Sequence, residues 1–346
     1  MERIGIIGCV AEGKNLYDGQ TVSTRLWKDE LGKKTGRKVY VVDTYQYRRR
    51  PFSVMIHWLV CMLFCSHIVI MLSVNGLRFF LPLLYYSNKL FKRSIYHRVI
   101  GGNLPETVER YPDFIKYMNS FEVNWVQSSV MVKKLTDKGL KNAEYLENFR
   151  RIRPAAVSEI QKPHCKPFRF CTFCRVSEAK GITIAVKAIE QVNKIRGEHI
   201  AVLHVYGPVE KEYQTEFEML QKRYSDCMEY KGCVPSNEAV GVLKNYFMHL
   251  FPTTWEGEGF PGTLIDCYNA GLPTIASSWA FNSEYVHNGK TGYVYDWKRP
   301  EGLTENILKA IENSKDIDSM RAECLEEARK YHPDVIMGKI IRKMGL

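Results

Sequence analysis

The chain has 346 residues, more than one hydrophobic core usually sustains, so two domains are expected. Hydrophobic residues make up 45% and charged residues 25% of the chain, ordinary globular values that exclude a disordered protein. The net charge of +11 favours an anionic partner: a nucleic acid, an anionic membrane surface or a phosphorylated ligand. The cations are spread along the chain and form no recognisable nucleic-acid module, so no nucleic-acid partner is expected.

The N-terminal half alternates short apolar runs with helical patterns, and the first helix is predicted from about Gln20. The predicted strands are, in chain order, RIGIIGCV, KVYVVDTY, HIVIML, IYHRVI, FEVNWVQ and AEYLENF. Continuous apolar strands separated by helices indicate a parallel sheet that is covered on both faces.

One apolar stretch requires a choice between a membrane span and a buried core segment. No charged residue lies between Arg50 and Arg78, and this length would suffice to cross a bilayer. His57 and His67 would be costly in hydrocarbon, and the strand–helix alternation continues on both sides. We therefore predict a buried helix over 53–65 and a buried strand over 67–72. The cations of YRRRP and KLFKRSIYHR flank this stretch, as peripheral binding to an anionic membrane requires.

Residues 149–168 interrupt the alternation with three prolines and many cations, which indicates a linker. Alternation then resumes, with a helix that places Ile182 and Val186 on one face and a helical tail from Glu301. The later predicted strands are RFCTFCRV, IAVLHVYG, CMEYKGCV, MHLFPTT, PTIAS and GYVYD. We predict two doubly wound α/β domains, the first over 1–155 with a C-terminal helix over 333–346, the second over 156–332.

The cysteines argue against a metal site. Among ten cysteines only Cys171 and Cys174 form a C-x-x-C pair, and this pair lies in an apolar strand pattern without a second pair. A core strand is therefore expected rather than zinc, and no metal site is predicted. Because no signal peptide precedes the first strand, a reducing cytoplasmic location is expected.

Two nucleotide-binding patterns are absent. The first strand leads into GCVAEGKNLYDGQT, which lacks G-x-G-x-x-G and disfavours a nicotinamide cofactor, and the GKT near residue 290 lacks the first P-loop glycine. The first strand–helix loop nevertheless lies where open parallel sheets bind ligands. Gly19 would let the backbone approach a phosphate, and the amides of Gln20 and Thr21 would donate to it. The alternative is an ordinary strand–helix turn.

The stretch WEGEGFPGTLIDCYNAGLPTIAS, over 255–277, carries the strongest signal. Its glycines end before the helical TLIDCYNAG, so free amides around Gly262 to Leu264 would point at an anion. Glu258 would accept hydrogen bonds from sugar hydroxyls, and Asp266 would accept them from a ribose. The alternative is that these acids and Glu256 only favour the helix dipole.

In RVSEAKG, Arg175 and Lys180 follow the first strand of the second domain. Two cations in such a loop would hold a diphosphate and neutralise a leaving group, although loop cations are often only solvated. Carboxylates for hydroxyls, combined with amides and cations for phosphates, describe a nucleotide-sugar site.

These motifs resemble glycosyltransferase family 4, retaining enzymes of the GT-B fold, and in particular transferases that build bacterial capsular polysaccharides or exopolysaccharides. The E-x7-E signature of that family aligns with Glu258 and Asp266, and its GR-(x)4-KG motif aligns with Arg175 and Lys180. YDGQT and GGNLPE in the first domain are similar to the same transferases. The resemblance implies two Rossmann-like parallel-sheet domains facing a central cleft, with the C-terminal helix packed on the N-terminal domain.

The resemblance also implies roles for individual residues. Arg175 and Lys180 would bind the donor diphosphate, and Glu258 would contact the donor sugar, so these three are the expected catalytic residues. The further donor-binding residues would be Gly19, Gln20, Glu256, Phe260, Pro261, Gly262, Thr263 and Asp266. The cleft or acceptor candidates are Tyr17, Asn75, Gly102, Asn103 and His97, and a satisfied core histidine is an equal alternative for the last. Two positions depart from the family: Asp266 is one methylene shorter than glutamate, and Cys174 replaces a glycine.

By resemblance the expected activity is transfer of a hexosyl-type sugar from a nucleotide-sugar to a hydroxyl, with retention and without a metal or other cofactor. UDP-sugars are favoured over GDP-sugars. The acceptor would be a glycan or a polyprenyl-diphosphate-linked sugar at the inner face of the plasma membrane, where the protein would be peripheral. Two alternatives remain: a non-catalytic partner subunit with a GT-B fold, and a GT-B sugar-nucleotide epimerase.

Overall fold

A computed structural model of the chain describes residues 3–14, 18–45, 47–160 and 166–346. The chain forms two compact units. Unit 1 comprises Met1–Asn148 and Pro333–Leu346, and unit 2 comprises Phe149–His332.

Unit 1 contains a parallel sheet whose strands follow the order β2-β1-β3-β4-β5-β6. The strands are β1 Arg3–Gly8, β2 Val39–Asp43, β3 Cys65–Met71, β4 Ser94–Arg98, β5 Val123–Val126 and β6 Ala143–Tyr145. The helices between them are α1 Gly19–Thr35, α2 Pro51–Phe64, α3 Val74–Phe91, α4 Leu104–Arg110, α5 Asp113–Met118 and α6 Ser129–Asp137. The central strands β1 and β3 are mostly buried, as their apolar runs IGIIG and IVIM predict.

Unit 2 repeats this plan with the strand order β12-β11-β10-β7-β8-β9, again parallel. The strands are β7 Phe168–Phe173, β8 Ala201–Tyr206, β9 Met228–Gly232, β10 Met248–Phe251, β11 Thr274–Ser277 and β12 Gly292–Tyr295. The helices are α7 Ile182–Arg196, α8 Gln214–Arg223, α9 Ala239–Leu243, α10 Gly262–Asn269, α11 Asn282–Tyr285, α12 Glu301–Glu312 and α13 Asp316–Ala328. Each strand predicted from the sequence has a counterpart, and the expected two-domain parallel α/β architecture is confirmed.

The last helix, α14 Pro333–Met344, belongs to unit 1 although it follows unit 2 in the chain. It packs beside α1, where Lys34 lies 2.6 Å from Asp334. Lys339 also contacts Glu147 at 2.7 Å, near the end of the first segment of unit 1. The prediction that a C-terminal helix packs on the N-terminal domain is therefore confirmed.

The apolar stretch after Arg50 forms α2 and β3, as predicted, but the expectation of a buried helix holds for only one side of α2. α2 buries Val54 and Trp58 on one side, whereas Phe52 is 85% and Ile56 is 63% exposed on another. The sheet covers only one side of a helix, and none of the residues of unit 1 that the structure describes covers the second apolar side. Among the residues that the structure describes, no helix has the length and apolarity needed to cross a membrane.

Glycines bound α7 at both ends, and their surroundings differ. Gly181 precedes the helix with φ +73° and Gly197 follows it with φ +65°, both left-handed conformations that favour glycine. A Cβ at Gly181 would lie 2.3 Å from the carbonyl oxygen of Pro252, whereas a Cβ at Gly197 would meet open space. The turn before α7 is therefore pressed against the end of β10.

We predict that Gly181→Ala lowers the free energy of unfolding by about 2–5 kcal/mol, because a left-handed penalty is added to an overlap with backbone. Gly197→Ala is the matched control, and it carries only the left-handed penalty of about 1–2 kcal/mol. Urea unfolding of both variants measures the difference. Equal losses of stability in the two variants would show that the turn at Gly181 is not packed tightly against the end of β10.

Candidate active site

The predicted donor residues of unit 2 lie where the strand order changes direction. From β7 the chain moves to β8 and β9 on one side, and then returns to β10 on the other side of β7. Ligands of open parallel sheets bind outside the carboxyl ends of the strands at such a point. The loop after β7 carries Arg175 and Lys180, and the loop after β10 carries Glu258.

Lys180 and Glu258 form a buried ion pair. The Nζ of Lys180 lies 2.5 Å from the Oε2 of Glu258, and the two residues are 8% and 4% exposed. The hydroxyl of Thr253 donates a further hydrogen bond to the same carboxylate oxygen at 2.9 Å. Their expected roles differ, one toward a diphosphate and the other toward a sugar, yet the two side chains are in direct contact.

The backbone explains why these two loops meet. The amide of Thr254 donates to the carbonyl of Ala179 at 2.8 Å, and Gly181 packs against Pro252. The hydroxyl of Ser277, at the end of β11, donates to the carbonyl of Thr253 at 2.6 Å. Three strand ends therefore hold the ion pair, and a shift in either loop would separate its charges.

Trp255 forms an aromatic wall beside the pair and was not among the predicted site residues. Its ring centroid lies 4.5 Å from the Nζ of Lys180 and 5.4 Å from the guanidinium of Arg175. The indole N–H of Trp279 donates to the carbonyl of Trp255 at 2.8 Å. A cation over an aromatic face is stabilised by the ring electrons, so Trp255 orients both cations.

Arg175 is more exposed than Lys180 and has a different acidic partner. Its Nη1 lies 2.7 Å from the Oε1 of Glu210, and both side chains are partly exposed. Glu256 is exposed on the loop after β10. Arg175 and Lys180 therefore share the face of Trp255, while each is paired with a different carboxylate.

The start of α10 agrees in part with the expectation of free amides. Pro261 occupies the N-cap position and no side chain caps the helix, so Gly262 and Thr263 present their amides at the helix start. The expectation for Leu264 is wrong, because its amide donates to the carbonyl of Pro261 at 3.1 Å. The ring of Phe260 stacks on Tyr285 at 4.1 Å, which anchors this loop in the core of unit 2.

Asp266 lies one turn into α10 and is buried with Arg150. Its Oδ1 is 3.7 Å from the Nε of Arg150, and within the described residues this oxygen accepts no hydrogen bond. Burial raises the pKa of Asp266, and the charge of Arg150 opposes that shift. The same guanidinium approaches the helix start, since a Cβ at Gly262 would lie 2.2 Å from its Nη2. Arg150 was not predicted, because it lies in the linker region and no motif marks it.

The C-x-x-C pair behaves as a core element. Cys171 is buried in β7, and burial raises the pKa of Cys174 to about 11. Across the described part of the chain, no group of three or more His, Cys, Asp or Glu side chains is arranged to hold a metal ion.

The first strand–helix loop of unit 1 differs from its expected role. Asp18 caps α1, and its carboxylate accepts the amide of Thr21 at 3.0 Å and the hydroxyl at 2.7 Å. The amide of Thr21 is therefore not available to a phosphate, which corrects that expectation. The side chain of Gln20 donates to the carbonyl of Met71 at 3.1 Å, and Gly19 faces open space. Tyr17 lies outside the described residues.

His97 is a core residue. It is fully buried on β4, its Nδ1 lies 2.9 Å from the Oδ1 of Asn124, and burial lowers its pKa to about 4. The Nε2 of His97 has no hydrogen-bond partner among the described residues, so the satisfied-histidine alternative holds at Nδ1 and not at Nε2. Complete burial gives His97 no access to a ligand. Asn75 is exposed near the start of α3, Gly102 is buried, and Asn103 accepts the amide of Thr107 through its carbonyl.

Unit 1 has a pocket of about 310 Å³ at the carboxyl ends of β1, β2 and β3, where its own strand order changes direction. Its lining residues are Cys9, Gln20, Thr44, Tyr45, Tyr47, Arg48, Arg49, Leu72, Ser73 and Gly76. This pocket therefore combines aromatic rings with two arginines. Of the predicted residues that the structure describes, only Gln20 lines it.

A larger pocket of about 610 Å³ in unit 2 contains none of the predicted residues. Glu327 lies at its wall and accepts from Lys330 at 2.7 Å and from the hydroxyl of Tyr331 at 2.8 Å. Because the pocket's buried acid already has two donors and the loops after β7 and β10 do not reach it, we do not place the reaction there.

The two-unit fold is GT-B. HepE from Anabaena, solved in complex with UDP, has a TM-score of 0.78 to this chain at 14% identity, with 100% of both chains covered. Sucrose-phosphate synthase from Thermosynechococcus elongatus also has a TM-score of 0.78 at 14% identity, with 99% of both chains covered. At these identities the likeness establishes the fold.

The chain belongs to the family described as Glycosyl transferases group 1, whose sequence profile matches residues 158–331. The amylovoran biosynthesis glycosyltransferase AmsK of Erwinia amylovora is 26% identical over 160 residues. That match covers 44% of this chain and 38% of AmsK, so the chain spans well under half of that relative's length.

We predict that Glu258→Gln lowers the free energy of unfolding by about 3–5 kcal/mol, because it leaves the buried ammonium of Lys180 without a counter-charge. The double variant Glu258→Gln/Lys180→Met should recover most of this loss. Glu210→Gln, which breaks the exposed pair with Arg175, is the control and should cost under about 1 kcal/mol. Urea unfolding checks all three, and additive losses in the double variant would contradict a coupled pair.

We also predict a pH-dependent role for Asp266. Because its folded pKa is raised, the native state holds this proton more tightly than the unfolded chain, whose pKa is about 3.9. The stability that Asp266 contributes is present at low pH and is lost as the pH rises through the raised pKa. Asp266→Asn should therefore gain stability relative to the native sequence between pH 4 and pH 7. Urea unfolding across this range measures the stability difference between Asp266→Asn and the native sequence, with the exposed Glu256→Gln as control. A stability difference that does not change with pH would contradict the prediction.

Proposed function

We propose that this chain is a retaining, metal-independent glycosyltransferase that moves a sugar from a nucleotide-diphosphate-sugar to a hydroxyl of a glycan or polyprenyl-diphosphate-linked acceptor. The pathway we propose is cell-surface polysaccharide biosynthesis, as the name of the relative AmsK suggests. Family membership supports the reaction class. The identity of the sugar is left open.

One observation carries this proposal: cations and unpaired helix amides converge at the switch point of unit 2. The guanidinium of Arg150 lies against the start of α10, where the amides of Gly262 and Thr263 also point. A cation at the positive end of a helix is unfavourable without an anion between them. A diphosphate would reverse that repulsion, because its oxygens accept from the amides and the guanidinium together.

The donor would also recruit Lys180 and Arg175 from the loop after β7. On binding, phosphate oxygens would compete with Glu258 for Lys180, which frees the carboxylate to accept hydroxyls of the donor sugar. The Oδ1 of Asp266 faces Arg150 but accepts no hydrogen bond within the described residues, and it would accept a ribose hydroxyl in place of Arg150. HepE is known in complex with UDP and with UDP-glucose, which supports our preference for UDP-sugars over GDP-sugars.

In the proposed reaction, the bond between the anomeric carbon and the β-phosphate oxygen breaks. A bond forms between that carbon and the acceptor oxygen on the same face, and the hydroxyl proton passes to an oxygen of the departing diphosphate. Lys180, Arg175 and Arg150 would neutralise the charge that develops on the leaving group. These fixed cations are the reason for proposing that no metal is required.

The pocket of unit 1 is the proposed acceptor site. Its tyrosines offer flat faces for sugar rings, and Arg48 and Arg49 offer donors to a diphosphate. Aromatic faces combined with arginines suit a sugar that is attached to a lipid diphosphate.

We predict that the protein binds UDP and UDP-sugars more tightly than GDP- or ADP-sugars, and that Lys180→Ala weakens UDP binding about 10- to 100-fold. Loss of a charge-assisted hydrogen bond accounts for that range. Calorimetry measures the affinities, and Lys187→Ala, an exposed lysine of α7, is the matched control. Because Lys180 also pairs with Glu258, circular dichroism must first show that the variant is folded.

Turnover is then measured with a membrane lipid extract as the acceptor source, with and without a chelator. The proposal expects a product with the donor's anomeric configuration, which proton NMR reports, and chelator-independent rates. Binding of no nucleotide would favour a non-catalytic partner subunit. Consumption of the donor without any acceptor would favour an epimerase.

A further inference from the structure

Helix α2 has two apolar sides, and only one of them is used in folding. Val54, Trp58, Cys61 and Met62 are buried against unit 1. The residues on the other side are Phe52, Ile56, Leu59 and Leu63, which are 85%, 63%, 44% and 47% exposed. Their spacing of four, three and four residues aligns them in one row along the helix. We call this row, with its continuation on α3 described below, the apolar stripe.

Helix α3 continues the apolar stripe. Phe79, Tyr86 and Leu90 are 45%, 57% and 78% exposed and are spaced by seven and four residues, again on one side of a helix. The connections from β2 to β3 and from β3 to β4 run in the same direction across the sheet, so right-handed crossovers place α2 and α3 on one face. Arg93 joins their ends by donating to the carbonyls of Met62 and Leu63 at 2.7 and 3.0 Å.

The segment that carries the apolar stripe is positively charged. The sequence has no aspartate or glutamate from residue 44 to residue 105, while the same interval contains Arg48, Arg49, Arg50, Arg78, Lys89, Lys92, Arg93 and Arg98. Three of these arginines directly precede α2 and are exposed, and Lys89 and Lys92 are exposed at the end of α3. Within the residues that the structure describes, none of these five exposed cations forms an ion pair with a carboxylate.

Single exposed apolar residues are ordinary, but an aligned row on two neighbouring helices is not. α2 has 14 residues, too few to cross a bilayer. A protein partner would usually present both signs of charge, whereas a segment that carries cations and no acid from residue 44 to residue 105 matches a uniformly negative surface. A short helix with an exposed apolar row and flanking arginines is the form of a helix that lies in the plane of a bilayer interface.

We propose that the apolar stripe inserts into the interface of an anionic lipid bilayer, and that Arg48, Arg49, Arg50, Lys89 and Lys92 contact the lipid phosphates. The inference does not depend on the donor chemistry of unit 2. If the proposed function holds, the pocket that contains Arg48 and Arg49 lies beside this surface, so a lipid-linked acceptor would reach it without leaving the bilayer. The protein would then work as a peripheral protein at the inner face of the plasma membrane.

The test is co-sedimentation of the full chain with vesicles. Binding to phosphatidylglycerol–phosphatidylcholine vesicles should exceed binding to pure phosphatidylcholine at least tenfold, and 0.5 M salt should weaken it. Replacing Arg48, Arg49 and Arg50 with serine should reduce the partition coefficient on the order of 100-fold, at about fivefold for each cation. Ile56→Ser/Leu63→Ser should reduce it at least tenfold, which separates insertion from a purely electrostatic contact.

Matched controls come from exposed positions of unit 2. Lys187, Lys211 and Lys222 replaced together with serine control for net charge, and Ile195→Ser/Met219→Ser controls for loss of exposed apolar side chains. Both controls should bind vesicles like the native chain. Thermal unfolding of all variants checks the fold.

Three outcomes would overturn the proposal. Equal binding to neutral and anionic vesicles would remove the role of the cations. Equal losses in the control variants would remove the role of this surface. A concentration-dependent dimer that Ile56→Ser/Leu63→Ser abolishes, without vesicle binding by the native chain, would assign the apolar stripe to a second copy of the chain.

Discussion

The contact between Lys180 and Glu258 is the interaction on which the site of unit 2 depends. Two opposite charges taken out of water are tolerable only when they are paired, so the loops after β7 and β10 must be held at a fixed separation. The hydrogen bond from Thr254 to Ala179, the close approach at Gly181 and the bond from Ser277 to Thr253 supply that separation. Burying these charges costs desolvation free energy, and the arrangement has a use if a ligand replaces one of the two charges as the partner of the other.

The fold could be predicted from the sequence because its signals are local and repeated. Unbroken apolar runs such as RIGIIGCV identify buried parallel strands, and the proline-rich segment after residue 148 marks the change from one sheet to the next. The exposed side of α2 was not predicted, since an all-apolar helix looks the same in sequence whether the protein or another surface covers its second side. Periodicity reports which residues are apolar, and it does not report what they touch.

The site could be predicted only where a motif carries its own geometry. Arg175, Lys180 and Glu258 were predicted from their positions in strand–helix loops and from their resemblance to family motifs. The pairing of Lys180 with Glu258 was not predicted, because these residues are 78 positions apart in the chain. Arg150 and Trp255 belong to no motif, and only tertiary packing places them. For Thr21, the preceding Asp18 was a readable N-cap signal that outweighs the anion-binding interpretation.

The acids of unit 2 have a consequence for how binding responds to the medium. Arg175, Lys180 and Arg150 each face a carboxylate of the protein itself, from Glu210, Glu258 and Asp266. In the proposed function, an incoming phosphate would displace these carboxylates, whereas an open cationic groove would release ions from solution. Such an exchange would make affinity depend on the rearrangement of three side chains more than on ionic strength. Small inorganic anions would then compete poorly, because they have no hydroxyl groups to donate to the freed carboxylates.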